Sequence, residues 1–379
     1  MEDSKETPNN NNNKGLVIRV LEALKQASKD LQNDLHNNTP TKSSAAAASA
    51  ECDTPSVNAL LELETESDDL FFDDPKLSPL SRHLSRLKSL IEDLRLHRHD
   101  LLLRRRRQIS RVAGSIESEI QAWIDRESLG GLVQALRNHD DDDPSAAIDL
   151  LSALQRRLSR GGFDRDLQDL VLDAGVLPAV DSVVRDARAP VRVREACAEA
   201  VAALVRFNKD VFLVPPMGPT ARALVSMASA RALAALTSLI VSVKSPFVDE
   251  IRSNGDVETI VGLLGPGEDV EIRAGALECA MEMGYYGRKE AVEAMMGAGV
   301  VERLVGMERK GGGDGGFGGC VGRFAVQLEV GEGLRGRERR AFKVEILRAV
   351  REAVSTDDED DQALCATIIA EVLWGSTPY

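Results

Sequence analysis

A recurrence along the chain restricts its fold more than any other feature. Short Gly-led segments, GGLVQAL at Gly130, GVLPAV at Gly175, GPTARALV at Gly218, GDVETIV at Gly255 and GVVERLV at Gly299, return at spacings of 45, 43, 37 and 44 residues. Each opens an apolar stretch of helical character, and after a polar or Gly/Pro interruption an Ala-rich helical stretch follows. VRVREACAEAVAAL (Val191 to Leu204) and VEIRAGALECAMEM (Val270 to Met283) share the order Arg, small, small, apolar across 79 residues, the separation of two units. A unit of about 40 residues cannot hide its apolar face alone, so such units stack and bury a continuous core between them.

Composition agrees with close helix packing. Hydrophobic residues make up 43% of the chain but aromatics only 4%, and the apolar weight falls on Ala, Leu and Val. Small and unbranched side chains suit helices more than sheets. The longest near-apolar run, Leu224 to Val243, is interrupted by Arg231 and several Ser and Thr, which predicts one buried helix and no membrane span. Met1 to Lys14 is polar and Asn-rich, with no apolar stretch before a cleavage site, so no secretory signal is expected.

Residues 1–78 are expected to form a mostly disordered arm around one amphipathic helix at about 15–36, where Val17, Val20, Leu21, Leu24, Ala27, Leu31 and Leu35 share a face. Residues 79–128 predict a helical hairpin. Leu80, Leu87, Leu94 and Leu101 stand seven apart with Leu84 and Ile91 offset, but Arg98 and Arg105 then occupy the Leu84/Ile91 series. That break weakens a coiled coil, and self-assembly through this segment stays as an alternative.

Residues 129–379 resemble an array of five or six armadillo repeats, in the divergent style of the C-terminal region of plant U-box ubiquitin ligases. The helical stretch before them is weakly similar to those ligases' N-terminal helical domain. The resemblance implies an all-α, right-handed armadillo-like α-solenoid, preceded here by the hairpin and arm. It also implies a protein-binding scaffold or adaptor, cytoplasmic with the nucleus as a second location, whose partners touch ubiquitin-dependent signalling. A U-box would need a Cys-Pro-Ile-type opening and a Gly-x-Thr-Tyr-Asp-like turn, and Ser110 to Leu136 offers neither. Ligase activity is therefore not carried over, although a ligase with an unrecognised E2-binding module remains a rival reading.

In the armadillo family the third helix of each repeat lines a concave groove, often with Trp and, four residues on, Asn. Alignment on the Ala-rich helices puts Asp149 and Ala153, Glu199 and Ala203, Ala234 and Ser238, Glu278 and Glu282, and Thr367 and Glu371 at those positions. The Trp/Asn ladder is missing and the inferred floor is acidic. Unpaired carboxylates would draw in a basic partner segment, whereas paired ones would serve only to join neighbouring helices.

Other chemistry finds little support. The net charge of −14, from 61 acidic and 47 basic residues, opposes nucleic acid as a partner. Five scattered cysteines lack metal-ligand spacing and imply free thiols, with Cys197, Cys279 and Cys365 expected to act as small buried hydrophobes. No cofactor or metal is expected, and the chain is expected to be monomeric. Two stretches match GxGxxG, at Gly311 to Gly316 and Gly331 to Gly336. The second follows Val321, Phe324 and Leu328, whose spacing is helical where a dinucleotide fingerprint needs a strand. His97 and His99 project about 200° apart on a helix and cannot share one ion. Arg104, Arg105, Arg106 and Arg107 form a basic cluster, read as a charged helix face with a weak nuclear-import signal as the alternative. Asp140 to Asp143 and Asp357 to Asp361 suit helix N-termini.

Overall fold

The computed structural model describes residues 9–37, 62, 77–96, 102–138, 144–160, 162–213, 217–310, 317–354 and 359–374. Among them all regular structure is helical. The chain divides into two compact units, Met1–Gly130 with Arg165–Leu170, and Gly131–Asp164 with Val171–Tyr379. His97, His99, Asp140 to Asp143 and the first glycine motif, Gly311 to Gly316, lie outside the described residues.

The first unit contains α1 (Asn9–Asn37), α2 (Ser78–Leu96) and most of α3 (Leu102–Arg137). Leu21, Leu24 and Leu31 of α1, Leu80, Leu84, Leu87 and Ile91 of α2, and Ile109, Ile116, Ile120 and Trp123 of α3 share one hydrophobic cluster. Lys25 bonds Gln121, and Gln32 Nε2 donates to Glu117 Oε2 at 3.3 Å. The helix anticipated at 15–36 is thus a full member of this core. A two-helix hairpin with apolar residues at heptad spacing leaves a stripe open, and α1 closes it. Leu80, Leu84, Leu87 and Ile91 of the leucine seam are buried in this cluster, and the side chains of Leu94 and Leu101 lie outside the described residues.

The second unit is an armadillo-like stack. It comprises α4 (Ser145–Ser159), α5 (Arg165–Asp173), α6 (Val176–Arg185), α7 (Val191–Phe207), α8 (Lys209–Phe212), α9 (Gly218–Met227) and α10 (Ala230–Val243). It continues with α11 (Ser245–Asn254), α12 (Val257–Gly262), α13 (Val270–Tyr286), α14 (Lys289–Gly297), α15 (Val300–Lys310), α16 (Cys320–Val330), α17 (Gly336–Ala353) and α18 (Glu359–Trp374). The third helices, α4, α7, α10, α13, α16 and α18, each pack on the next, which makes one ladder through the array. The second helices, such as α15 and α17, pack alongside.

Backbone geometry explains the recurring glycines. Gly175, Gly255 and Gly299 hold φ of 67°, 77° and 78° at the corner between the first and second helices of their repeats. Only glycine enters that region without penalty. The other two recurrences differ. Gly130 lies inside the unbroken helix α3, and Gly218 starts α9, where its carbonyl accepts from Asn254 Nδ2 at 2.8 Å. Small residues also set the rung spacing: a Cβ on Gly275 would lie 3.0 Å from Leu233 Cβ, and one on Gly284 3.1 Å from Phe324 Cε2.

Two local expectations are corrected or explained. The apolar run Leu224 to Val243 is two helices, because Ala228 turns left-handed (φ 48°) and the Ser229 side chain caps α10 by accepting from Ala232 N at 3.3 Å. The stretch before the second glycine motif is helical, as its spacing implied, and Val321, Phe324 and Leu328 are buried. The glycines themselves allow backbones to touch. Glu332 N and Gly333 N donate to Tyr285 O at 2.8 and 3.2 Å, and a Cβ on Gly333 would meet Gly287 O at 2.0 Å.

Candidate functional site

The ladder of third helices is the candidate site, because it sets equivalent positions of successive repeats beside one another. Helix α7 shows how such a rung forms. Its C-terminal half, Ala200 to Val205, is enclosed by the helices around it, while Glu195 and Glu199 reach the surface. Arg194, buried at its start, donates through Nε and Nη2 to Val184 O at 3.2 and 3.1 Å and so satisfies the end of α6.

The aligned positions fall into three groups. Asp149 and Thr367 are exposed, and Ser238 is half-buried. Thr367 Oγ1 donates to Ala363 O at 2.9 Å, and Ser238 O accepts from Ser242 Oγ at 2.7 Å, so both are tied to their own helices. Ala203 is 4% exposed and belongs to the core. Its methyl lies in the enclosed half of α7 and does not reach the exposed face, contrary to the groove position expected for it.

Glu199 joins three rungs. It takes Arg231 of α10 in a bidentate pair, Nε to Oε1 at 2.7 Å and Nη2 to Oε2 at 3.0 Å, and Gln155 of α4 approaches Oε2 at 3.5 Å. Gln155 also donates to Ala196 O at 3.2 Å. Here the acid is an interhelical fastener, and the hydrogen bond to Glu199 raises the Arg231 pKa above its usual value. Beside it a recess of about 520 Å³ is lined by Glu195, Ser229, Arg231, Asp269, Val270 and Glu271.

Glu278 and Glu282 behave otherwise. They lie one turn apart on α13, the first exposed and the second half-buried, and neither has an ion-pair partner among the described residues. Burial, with the nearby Glu278 charge, pushes the Glu282 carboxyl above the usual range. Beneath them Cys279 touches Thr237 Oγ1 at 3.1 Å, and burial drives its thiol to about 12. Glu371 is half-buried on α18, its carboxyl also raised by burial, with Oε2 enclosed and lacking a hydrogen bond.

Sequence alignment passed over two participants. Arg231 registered only as an interruption of an apolar run, although that position is where an arginine can span two neighbouring rungs. Helix α16 supplies Arg323, exposed, and Gln327, half-buried, 45 residues after Glu278 and Glu282. The glycine-rich insertion before this helix had obscured its register. The face is therefore mixed in charge: Glu199 is neutralised, whereas Asp149, Glu371 and the adjacent pair Glu278 and Glu282 on α13 have no ion-pair partner among the described residues. Of the basic cluster, Arg107 is exposed on α3, and the side chains of Arg104, Arg105 and Arg106 lie outside the described residues.

No protein-family model matches the chain, and no curated protein does. Among solved structures, a designed armadillo repeat protein is similar at 16% identity and a TM-score of 0.42, over 64% of this chain and 99% of that one. An engineered protein from the Northeast Structural Genomics Consortium is similar at 18% identity and a TM-score of 0.44, over 65% and 97% of the two chains. Scores of this size leave the fold to be read from the helix packing itself.

Proposed function

We propose that the chain is a protein-binding scaffold or adaptor that holds a basic segment of its partner against the face of the third helices, centred on α13. The unneutralised pair Glu278 and Glu282 carries this reading. Two carboxylates one turn apart repel each other, and a Lys or Arg placed between them would relieve that repulsion while gaining its own attraction. Glu199 contributes less, because Arg231 already neutralises it.

The test is fluorescence anisotropy with Lys/Arg-rich and acidic peptides at low and high salt. Preference for the basic peptides, weakened by salt and by Glu278→Gln with Glu282→Gln, is expected. Equal, salt-insensitive affinity for both peptide classes would reject the reading. A tie to ubiquitin-dependent signalling rests on the sequence resemblance alone, as does a cytoplasmic or nuclear location. Purified protein in an autoubiquitination assay should form no chains, and chain formation would favour the ligase reading.

A further inference from the structure

Helix α4 ends in Arg156-Arg157-Leu158-Ser159, and Arg160 and two glycines follow in the sequence. Ser159 is exposed, as are Arg156 and Arg160 on either side of it, in a chain whose net charge is −14. Ser85, Ser89 and Ser110 also stand three residues after an arginine, but they lie inside α2 and α3, with helix on both sides. Ser159 is instead the last residue of its helix, and Arg160 has already turned to φ −89°, ψ 105°. Arg157 Nη2 lies 2.7 Å from Asp164 Oδ2 and clasps the turn that follows.

We propose that Ser159 is a phosphorylation site for a basophilic protein kinase, an enzyme whose carboxylates take up the two arginines before the acceptor. Ser159 Oγ attacks the γ-phosphorus of magnesium-bound ATP and gives its proton to the kinase's catalytic aspartate. The bond from the γ-phosphorus to the β,γ-bridging oxygen breaks, and ADP leaves. A kinase reads such a segment extended, so the last turn of α4 must open. That opening breaks the bonds from Ser159 Oγ to Gln155 O at 2.8 Å and from Arg160 N to Arg156 O at 3.1 Å, releases Arg157 from Asp164, and uncovers Leu158, which is 7% exposed. Helix ends open locally at far lower cost than helix interiors. The modified chain cannot keep the present geometry. Ser159 Oγ now donates to Gln155 O, whereas a phosphoester oxygen has no proton to donate, and the phosphate sets roughly two negative charges where the carbonyls at the end of α4 already gather negative charge. The Gln155 side chain ties α4 to α7 through Ala196 O and Glu199. The modification therefore falls one turn from the link between the first two rungs of the ladder.

The full chain, kept native, is incubated with the catalytic subunit of cyclic-AMP-dependent kinase and magnesium ATP, and the sites are mapped by tandem mass spectrometry. Phosphate on Ser159 is expected, added more slowly than to a synthetic peptide of residues 153–163 but to completion. Arg156→Ala should lower kcat/KM at Ser159 by roughly tenfold or more, with circular dichroism melting unchanged. Amide hydrogen exchange across residues 153–160 should quicken once the phosphate is in place. A native chain left unmodified at Ser159 while the peptide is modified would overturn the proposal, as would phosphate confined to other serines or a rate indifferent to Arg156→Ala. Unchanged amide protection in the phosphorylated protein would refute the rearrangement of α4.

Discussion

Lys244 and Glu332, 88 residues apart in sequence, form an ion pair with Nζ 2.9 Å from Oε2. Lys244 joins α10 to α11 with φ of 69°, and its ammonium also lies 5.5 Å from the centre of the Tyr286 ring. Ser245 Oγ donates to Tyr286 O at 2.6 Å, and Glu332 N donates to Tyr285 O. Residues from three successive repeats thus meet at one edge of the ladder.

Backbone contact outweighs the exposed ion pair in this seam. Gly333→Ala should destabilise the protein by roughly 2–3 kcal/mol, because its Cβ has only a backbone carbonyl to displace. Glu332→Gln should move the urea midpoint little at physiological salt and more at low salt.

Ala228 stands in the left-handed region at φ 48°, ψ 42°. Ala228→Gly removes a strain of about 1 kcal/mol and loosens the unfolded chain somewhat, for a net gain of about 0.5 kcal/mol. Ala235→Gly, within α10, should do the reverse by about 1 kcal/mol or more. Thermal denaturation of the two variants checks the contrast.

Leu24 is fully buried among the three helices of the first unit. Leu24→Ala should lower the stability of that unit by about 3 kcal/mol and open it to proteolysis. A helix riding in an unattached arm would make the substitution silent, so limited proteolysis with mass analysis separates the two.

Burial raises the carboxyl pKa of Glu282, Glu308 and Glu371. Groups of this kind bind protons more tightly folded than unfolded. Their contribution to stability is complete below the ordinary glutamate pKa and is lost as pH rises through the raised values. Glu282→Gln should flatten part of that dependence in melts recorded from acid to neutral pH, and Glu278→Gln should bring the Glu282 titration, followed by carbon NMR, back toward the usual range.

Burial pushes the thiols of Cys197 and Cys279 up to about 12 and that of Cys320 higher still. Native protein treated with iodoacetamide at neutral pH should remain unmodified at all three, since little thiolate forms there. Half-buried Cys365 should react first among the described cysteines.

Legibility followed the range of the interaction. The corner glycines at 175, 255 and 299 could be recognised because a left-handed turn favours glycine over every residue that carries a Cβ. The Ala-rich helices could be recognised because burial on several sides demands small residues. The role of Gly331 and Gly333 could not, since what excludes a side chain there is the backbone near Tyr285 and Gly287, over 40 residues away. The split at Ala228 was hidden for a different reason: alanine carries no signal for a left-handed turn, and the Ser229 cap was the only local mark.

Most helix positions, the period of about 40 residues and the need to stack were set by the order of residues alone, because periodicity and glycine conformation are local properties. Tertiary packing decided which acids are neutralised. Glu199 and Glu278 occupy equivalent places in their repeats, yet Arg231 reaches the first and, among the described residues, no cation pairs with the second. Whether a carboxylate fastens two rungs or is left for a partner depends on the reach of an arginine from the adjacent helix, and that distance exists only once the rungs are stacked.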